Sequence, residues 1–100
     1  MLVVRRPMIY YVDVDDTLVR TIGAKRIPIP KTVAWVKTAH AAGNVLYLWS
    51  RGGASYAQAT AAELGIESLF RAFLDKPDAL IDDQDIGDWT HLRQSHPSEL

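Results

Sequence analysis

The chain contains no cysteine, which excludes a disulfide framework, a zinc ribbon and a thiol nucleophile and frees the fold from any need for an oxidising compartment. It has no apolar run long enough to span a bilayer. The opening MLVVRRPMIYYVDVDD lacks a secretory layout, because its apolar runs are cut by Arg5, Arg6 and Pro7 and then by Asp13, Asp15 and Asp16. A cytoplasmic, non-membrane protein is expected. Nor does one sign of charge dominate: eleven basic and twelve acidic side chains give a net charge of −1, which argues against a dedicated nucleic-acid surface. Six Gly and five Pro are too few for a collagen-like or low-complexity chain. No internal repeat or Ser/Gly-rich linker divides the sequence.

What remains is an ordinary globular composition, 48% hydrophobic and 23% charged over 100 residues, enough for one core and hence one domain over 1–100. Its charge is unevenly placed. Residues 1–50 carry seven Lys/Arg and three Asp, a balance of +4, and residues 51–100 carry four Lys/Arg and nine Asp/Glu, a balance of −5. Both a cation and an anion can be handled by such a chain.

Met8–Val14 is apolar without strict alternation, the pattern of a strand covered on both faces, and it ends in carboxylates. Residues 16–30 mix Gly23, Pro28 and Pro30 with Arg20, Lys25 and Arg26, and predict a turn and a hairpin-like excursion. Pro30, the roughly helical spacing of Val33, Val36, Ala39 and His40, and a glycine stop at Gly43 predict a helix over about 30–42. Val45–Trp49 predicts a second buried strand, followed by Ser50 and Arg51-Gly52-Gly53. The Ala-rich stretch Ala54–Leu64, closed by Gly65, predicts a second helix. Residues 66–75 fit either a short strand or a helical turn. Ala79–Ile81 predicts a strand ending in Asp82 and Asp83, and Ile86, Trp89 and Leu92 predict a short amphipathic cover over the sheet edge. Alternation of this kind implies a compact Rossmann-like three-layer α/β/α sandwich, with an abbreviated, mostly parallel sheet and helices on both faces.

The carboxyl ends of parallel strands form the ligand crevice of such a fold, so Asp13, Asp15, Ser50, Asp82 and Asp83 should converge there. Three or four carboxylates in one place repel by several kcal/mol unless a cation lies among them. Oxygen ligands without Cys favour Mg²⁺, which keeps positions for water and a phosphate oxygen. Ser50 offers a hydroxyl to a phosphate, and the Gly52-Gly53 backbone at a helix start offers N–H groups. Lys76 offers a positive charge. Arg20, Lys25, Arg26 and Arg51 flank the crevice and could gather an anion, although solvated surface is the plainer reading for each. With a phosphate bound, Asp13 can attack phosphorus in line and a carboxylate two residues on can protonate the leaving oxygen, provided the chain bends at Thr17 and Leu18.

Asp13-Val14-Asp15-Asp16-Thr17-Leu18 resembles the DxDxT first motif of the haloacid dehalogenase superfamily, with Ser50, Lys76 and Asp82-Asp83 in the order of its second, third and fourth motifs. The resemblance covers most of the chain. It implies a Mg²⁺-dependent phosphomonoesterase in which Asp13 forms an aspartyl-phosphate and Asp15 is general acid and base. It puts Ser50, with the adjoining Arg51 and Gly52, and Lys76 on the phosphate. Asp13, Asp15 through its carbonyl, and Asp82 or Asp83 would hold the metal. Neither connection that carries a cap domain in many members is long enough for one here. A capless member is therefore implied, of the kind that acts on large substrates or borrows a neighbouring subunit as a lid, so a homo-oligomer is among the expectations; the partner expected is a small phosphorylated substrate or a phosphorylated polymer end. The alternative is a non-catalytic or receiver-like phosphate-binding module using the same acidic site. Receivers, however, carry their acidic pair on the first strand and the phosphorylated Asp on a middle one, whereas the middle strand here ends in Ser50. Only Pro77–Ile81 separates Lys76 from Asp82. Extended, that segment spans up to roughly 20 Å, so Lys76 reaches a phosphate beside Asp82 only if the chain turns back at Lys76–Asp78.

Overall fold

A computed structural model describes residues 6–100; the Met1–Arg5 part of the opening run lies outside the described residues. Ile9–Asp13 forms β1, whose β-branched and aromatic side chains suit a pleated surface. The chain then turns at Asp16, a non-glycine residue at φ 60°, a left-handed conformation that Asp tolerates better than most residues. The turn is closed by Asp16 N donating to Val19 O at 2.7 Å and Leu18 N donating to Val14 O at 2.9 Å. Val19–Ile22 (β2) and Lys25–Pro28 (β3) follow as an antiparallel hairpin. Its base is anchored by fully buried Leu18 and Val19, so the excursion over 16–30 is a hairpin.

Pro30–Ala41 forms α1, with Pro30 in the first turn and Thr32, Val36 and Ala39 buried. Thr32 takes the core position that the spacing gives to His40, which is exposed. Val45–Ser50 (β4), Ala54–Glu63 (α2) and, after a 3-10 turn at Glu67–Leu69, Ala72–Asp75 (β5) complete the ordered elements. The ambiguous stretch 66–75 is therefore both a turn and a strand. The sheet has the order β1-β4-β5, all parallel, with Asp13 opposite Trp49 and Ser50 opposite Asp75.

Two expectations are corrected. The first is the third layer. Successive crossovers that step the same way across a parallel sheet, each right-handed, put their helices on the same face. Both helices accordingly share one core with Val12, Val14, Leu46 and Leu48. Burial along β4 alternates strictly, Leu46, Leu48 and Ser50 being covered and Val45, Tyr47 and Trp49 only partly. Among the described residues the fold is thus two-layered. The apolar content of the strands hides this, because Tyr and Trp also tolerate a half-wet face.

The second correction concerns the end of the chain. The third parallel strand is Ala72–Asp75, not Ala79–Ile81, which has no strand partner; Ile81 is 99% exposed. The amphipathic cover is likewise not formed: residues 84–100 hold only 3-10 turns at Ile86–Asp88 and Pro97–Glu99, with Ile86 and Leu92 exposed. Lys31 Nζ donates to Ser98 O at 2.8 Å and ties this segment to α1. No helix among the described residues is long and apolar enough to cross a membrane.

Candidate functional site

The carboxyl ends of β1, β4 and β5 bring Asp13, Ser50 and Asp75–Lys76 to one edge of the sheet. Asp13 is the last residue of β1 and follows buried Val12, so alternation turns its side chain to the face opposite the helices. Lys76 Nζ lies 3.7 Å from Asp13 Oδ1, and Thr17 Oγ1 donates to Asp13 Oδ2 at 3.2 Å. The bend at Asp16 is what brings Thr17 back to the strand it has just left. Lys76 thus meets Asp13 without a turn-back, because it directly follows the strand next to β4 instead of preceding a strand of its own.

Ser50 is 1% exposed and organises the loop into α2. Its Oγ accepts from Gly52 N at 3.0 Å, and its carbonyl accepts from Gly53 N at 3.1 Å and Lys76 N at 3.0 Å. A Cβ on Gly52 would stand 2.9 Å from the Tyr56 ring, and Gly53 has φ 105°, so both positions favour glycine. Arg51 turns outward, its Nη1 2.9 Å from Asp78 Oδ1, with both side chains largely exposed. Of the phosphate-site residues expected from the sequence, Ser50, Gly52 and Lys76 stand at the sheet edge and the Arg51 guanidinium is directed away to Asp78.

Asp15, two residues beyond β1, accepts a 2.7 Å hydrogen bond from Tyr56 Oη of α2. Partial burial, then this contact, hold the Tyr56 hydroxyl above its ordinary pKa of 10.0, so it remains a donor. Arg26 of β3 sits 5.0 Å above the Tyr56 ring and pairs with Glu63 of α2. The Glu63 hydrogen bond is the largest cause of a raised Arg26 pKa. The hairpin, α2 and Asp15 are thereby stitched together, and Arg26 has a structural partner.

Asp82 and Asp83 are the exception. Both lie in the exposed segment after Lys76, where Asp82 Oδ1 accepts from Gln84 N at 2.9 Å in a local turn. Among the described residues no three acidic or His side chains group as a metal cage. The acidic residue at the end of the third strand is instead Asp75, whose Oδ1 accepts from Ala54 N at 2.9 Å and so caps α2. Sequence reasoning missed Asp75 and Tyr56. The first had a signal, an Asp closing the apolar run 72–74 immediately before Lys76; the second had none.

The arrangement sets a partly exposed carboxylate against an ammonium and a hydroxyl at the open end of a parallel sheet, and a second carboxylate, two residues on, is held by a phenol of α2. The Asp13 carboxylate and the Asp15 backbone carbonyl are oxygen donors of the kind that could hold Mg²⁺, an ion commonly bound by few protein ligands with water and phosphate completing the shell. No family model, curated protein or solved structure matches the chain.

Proposed function

We propose that the protein is a Mg²⁺-dependent phosphomonoesterase working through a phosphorylated Asp13. The observation that carries this reading is the meeting of Asp13 and Lys76 at 3.7 Å beside the Ser50 loop. It sets a nucleophile and a phosphate-neutralising charge where a parallel sheet presents its ligands. An oxygen of Asp13 attacks phosphorus as the bond to the ester oxygen breaks, and the alcohol leaves with a proton from Asp15. Water then attacks the phosphoryl group on Asp13, giving its proton to Asp15 and releasing inorganic phosphate. Lys76 neutralises charge on the transferring group. The Tyr56 hydrogen bond fixes the orientation of Asp15. Asp13, and Asp15 through its backbone carbonyl, would hold a Mg²⁺ ion, whose chemistry when bound would be to polarise phosphate oxygens; Asp82 and Asp83, the further ligands expected from the sequence, lie in the exposed segment after Lys76.

The test is hydrolysis of an aryl phosphate by the full chain with Mg²⁺, with EDTA and with Asp13→Asn, all shown to be folded. Turnover that requires both metal and Asp13 is expected. Turnover surviving either change contradicts the reading.

A further inference from the structure

The face of the sheet turned away from the helices carries Tyr11 of β1, 51% exposed, with half-buried Tyr47 and Trp49 of β4 beside it. The Tyr11 and Trp49 rings meet at 4.9 Å and 86°, forming a corner, and Tyr47 lies 5.1 Å from Tyr11. This cluster is not remote from the proposed chemistry. Trp49 is the register partner of Asp13, the two side chains are on the same face, and Lys76 Nζ is both 5.9 Å from the Trp49 ring and 3.7 Å from Asp13 Oδ1. One cation therefore touches the nucleophile and the aromatic corner at once. No cap stands over this face among the described residues, and β2-β3, the only hairpin inserted after β1, is tied to α2.

We infer that Trp49 and Tyr11 form the leaving-group subsite, and that the substrate is a phosphomonoester whose alcohol carries a planar aromatic group, a free mononucleotide being the type. This rests on the phosphatase reading given above. A base can stack in the corner of two perpendicular rings, where aromatic faces accept any base. Tyr11 lies two residues back along β1 from Asp13, roughly 7 Å, a gap that the ribose of a nucleotide spans. A polynucleotide would need a basic surface to neutralise its backbone, and the chain has a net charge of −1; the free mononucleotide is therefore preferred. The phenol and indole edges place the subsite beside the phosphate, so it acts on kcat/KM for the whole ester and not on the phosphate alone.

Adenosine 5′-monophosphate and ribose 5-phosphate separate the two claims, because both lose phosphate from the same kind of primary alcohol and only one carries a base. The full chain with Mg²⁺ is expected to favour the nucleotide by about 5- to 100-fold in kcat/KM, the ratio falling toward one in Trp49→Leu and being largely kept in Trp49→Phe. Equal hydrolysis of the two esters, both dependent on Asp13, would overturn this inference and leave the phosphatase reading standing. If neither is hydrolysed, the aryl phosphate assay decides the phosphatase reading, and the Trp49 indole N–H resonance decides the subsite. A shift with the nucleotide but not with ribose 5-phosphate upholds it, and no shift with either overturns it.

Discussion

The two faces of the three-stranded sheet divide the work of the molecule. The face toward α1 and α2 buries Val12, Leu46 and Leu48 at 6% exposure or less; there, side chains pack into the core and stabilise the fold. The opposite face, built from alternate residues of the same strands, carries Tyr11, Trp49 and Asp13 and meets Lys76. One residue of displacement along a strand exchanges a core position for one on the face of the candidate site. The covered face holds the hydrophobic core, and the uncovered face leaves Asp13 and its neighbours accessible to a ligand.

That division can be broken from either side. Asp13→Asn on the open face is expected to lower phosphatase kcat by about 10³-fold or more while thermal unfolding changes little. Leu48→Ala on the covered face is expected to do the reverse, costing about 2–5 kcal/mol of stability with activity per folded molecule retained; denaturant unfolding beside a kcat measurement checks both. Asp75→Ala removes the carboxylate on Ala54 N and is expected to cost about 0.5–2 kcal/mol, read from the same unfolding curves. The smallest effect is expected at Tyr56→Phe, about 0.5–1 kcal/mol at neutral pH. Because the folded state raises the Tyr56 pKa above its ordinary 10.0, the stability tied to its proton is complete below pH 10.0 and is lost as pH rises through the higher folded value. An alkaline unfolding series should show this loss in the native chain and not in Tyr56→Phe.

How much of this is legible in the sequence follows from which interactions are local. Pro30, Gly43 and Gly65 punctuate the helices, and the run before Asp13 marks the first strand, so β1, α1, β4 and α2 can be read directly. The turn at Asp16 and the hairpin behind it are also local. The covering of the sheet is not, because the sequence of β4 is equally apolar on both faces and only the direction of the two crossovers decides which is buried. The third strand misleads for a related reason. Ala72–Leu74 and Ala79–Ile81 are both short apolar runs followed by Asp, and the first pairs with β4 because α2 and the Glu67–Leu69 turn deliver it there. Consequently Lys76 comes within 3.7 Å of Asp13, and Asp82 and Asp83 stay in the exposed segment. Tyr56 on Asp15 is a contact across 41 positions, for which no spacing rule exists.

The proposed mechanism requires Asp13 to carry the phosphoryl group. The most direct measurement is acid-quenched peptide mass spectrometry of the full chain after incubation with Mg²⁺ and an aryl phosphate. One phosphoryl group is expected on the peptide containing Asp13, and none on that peptide of the Asp13→Asn protein. Turnover with no phosphoryl group on that peptide, or a phosphoryl group mapped to Asp15 or Asp75, would contradict it.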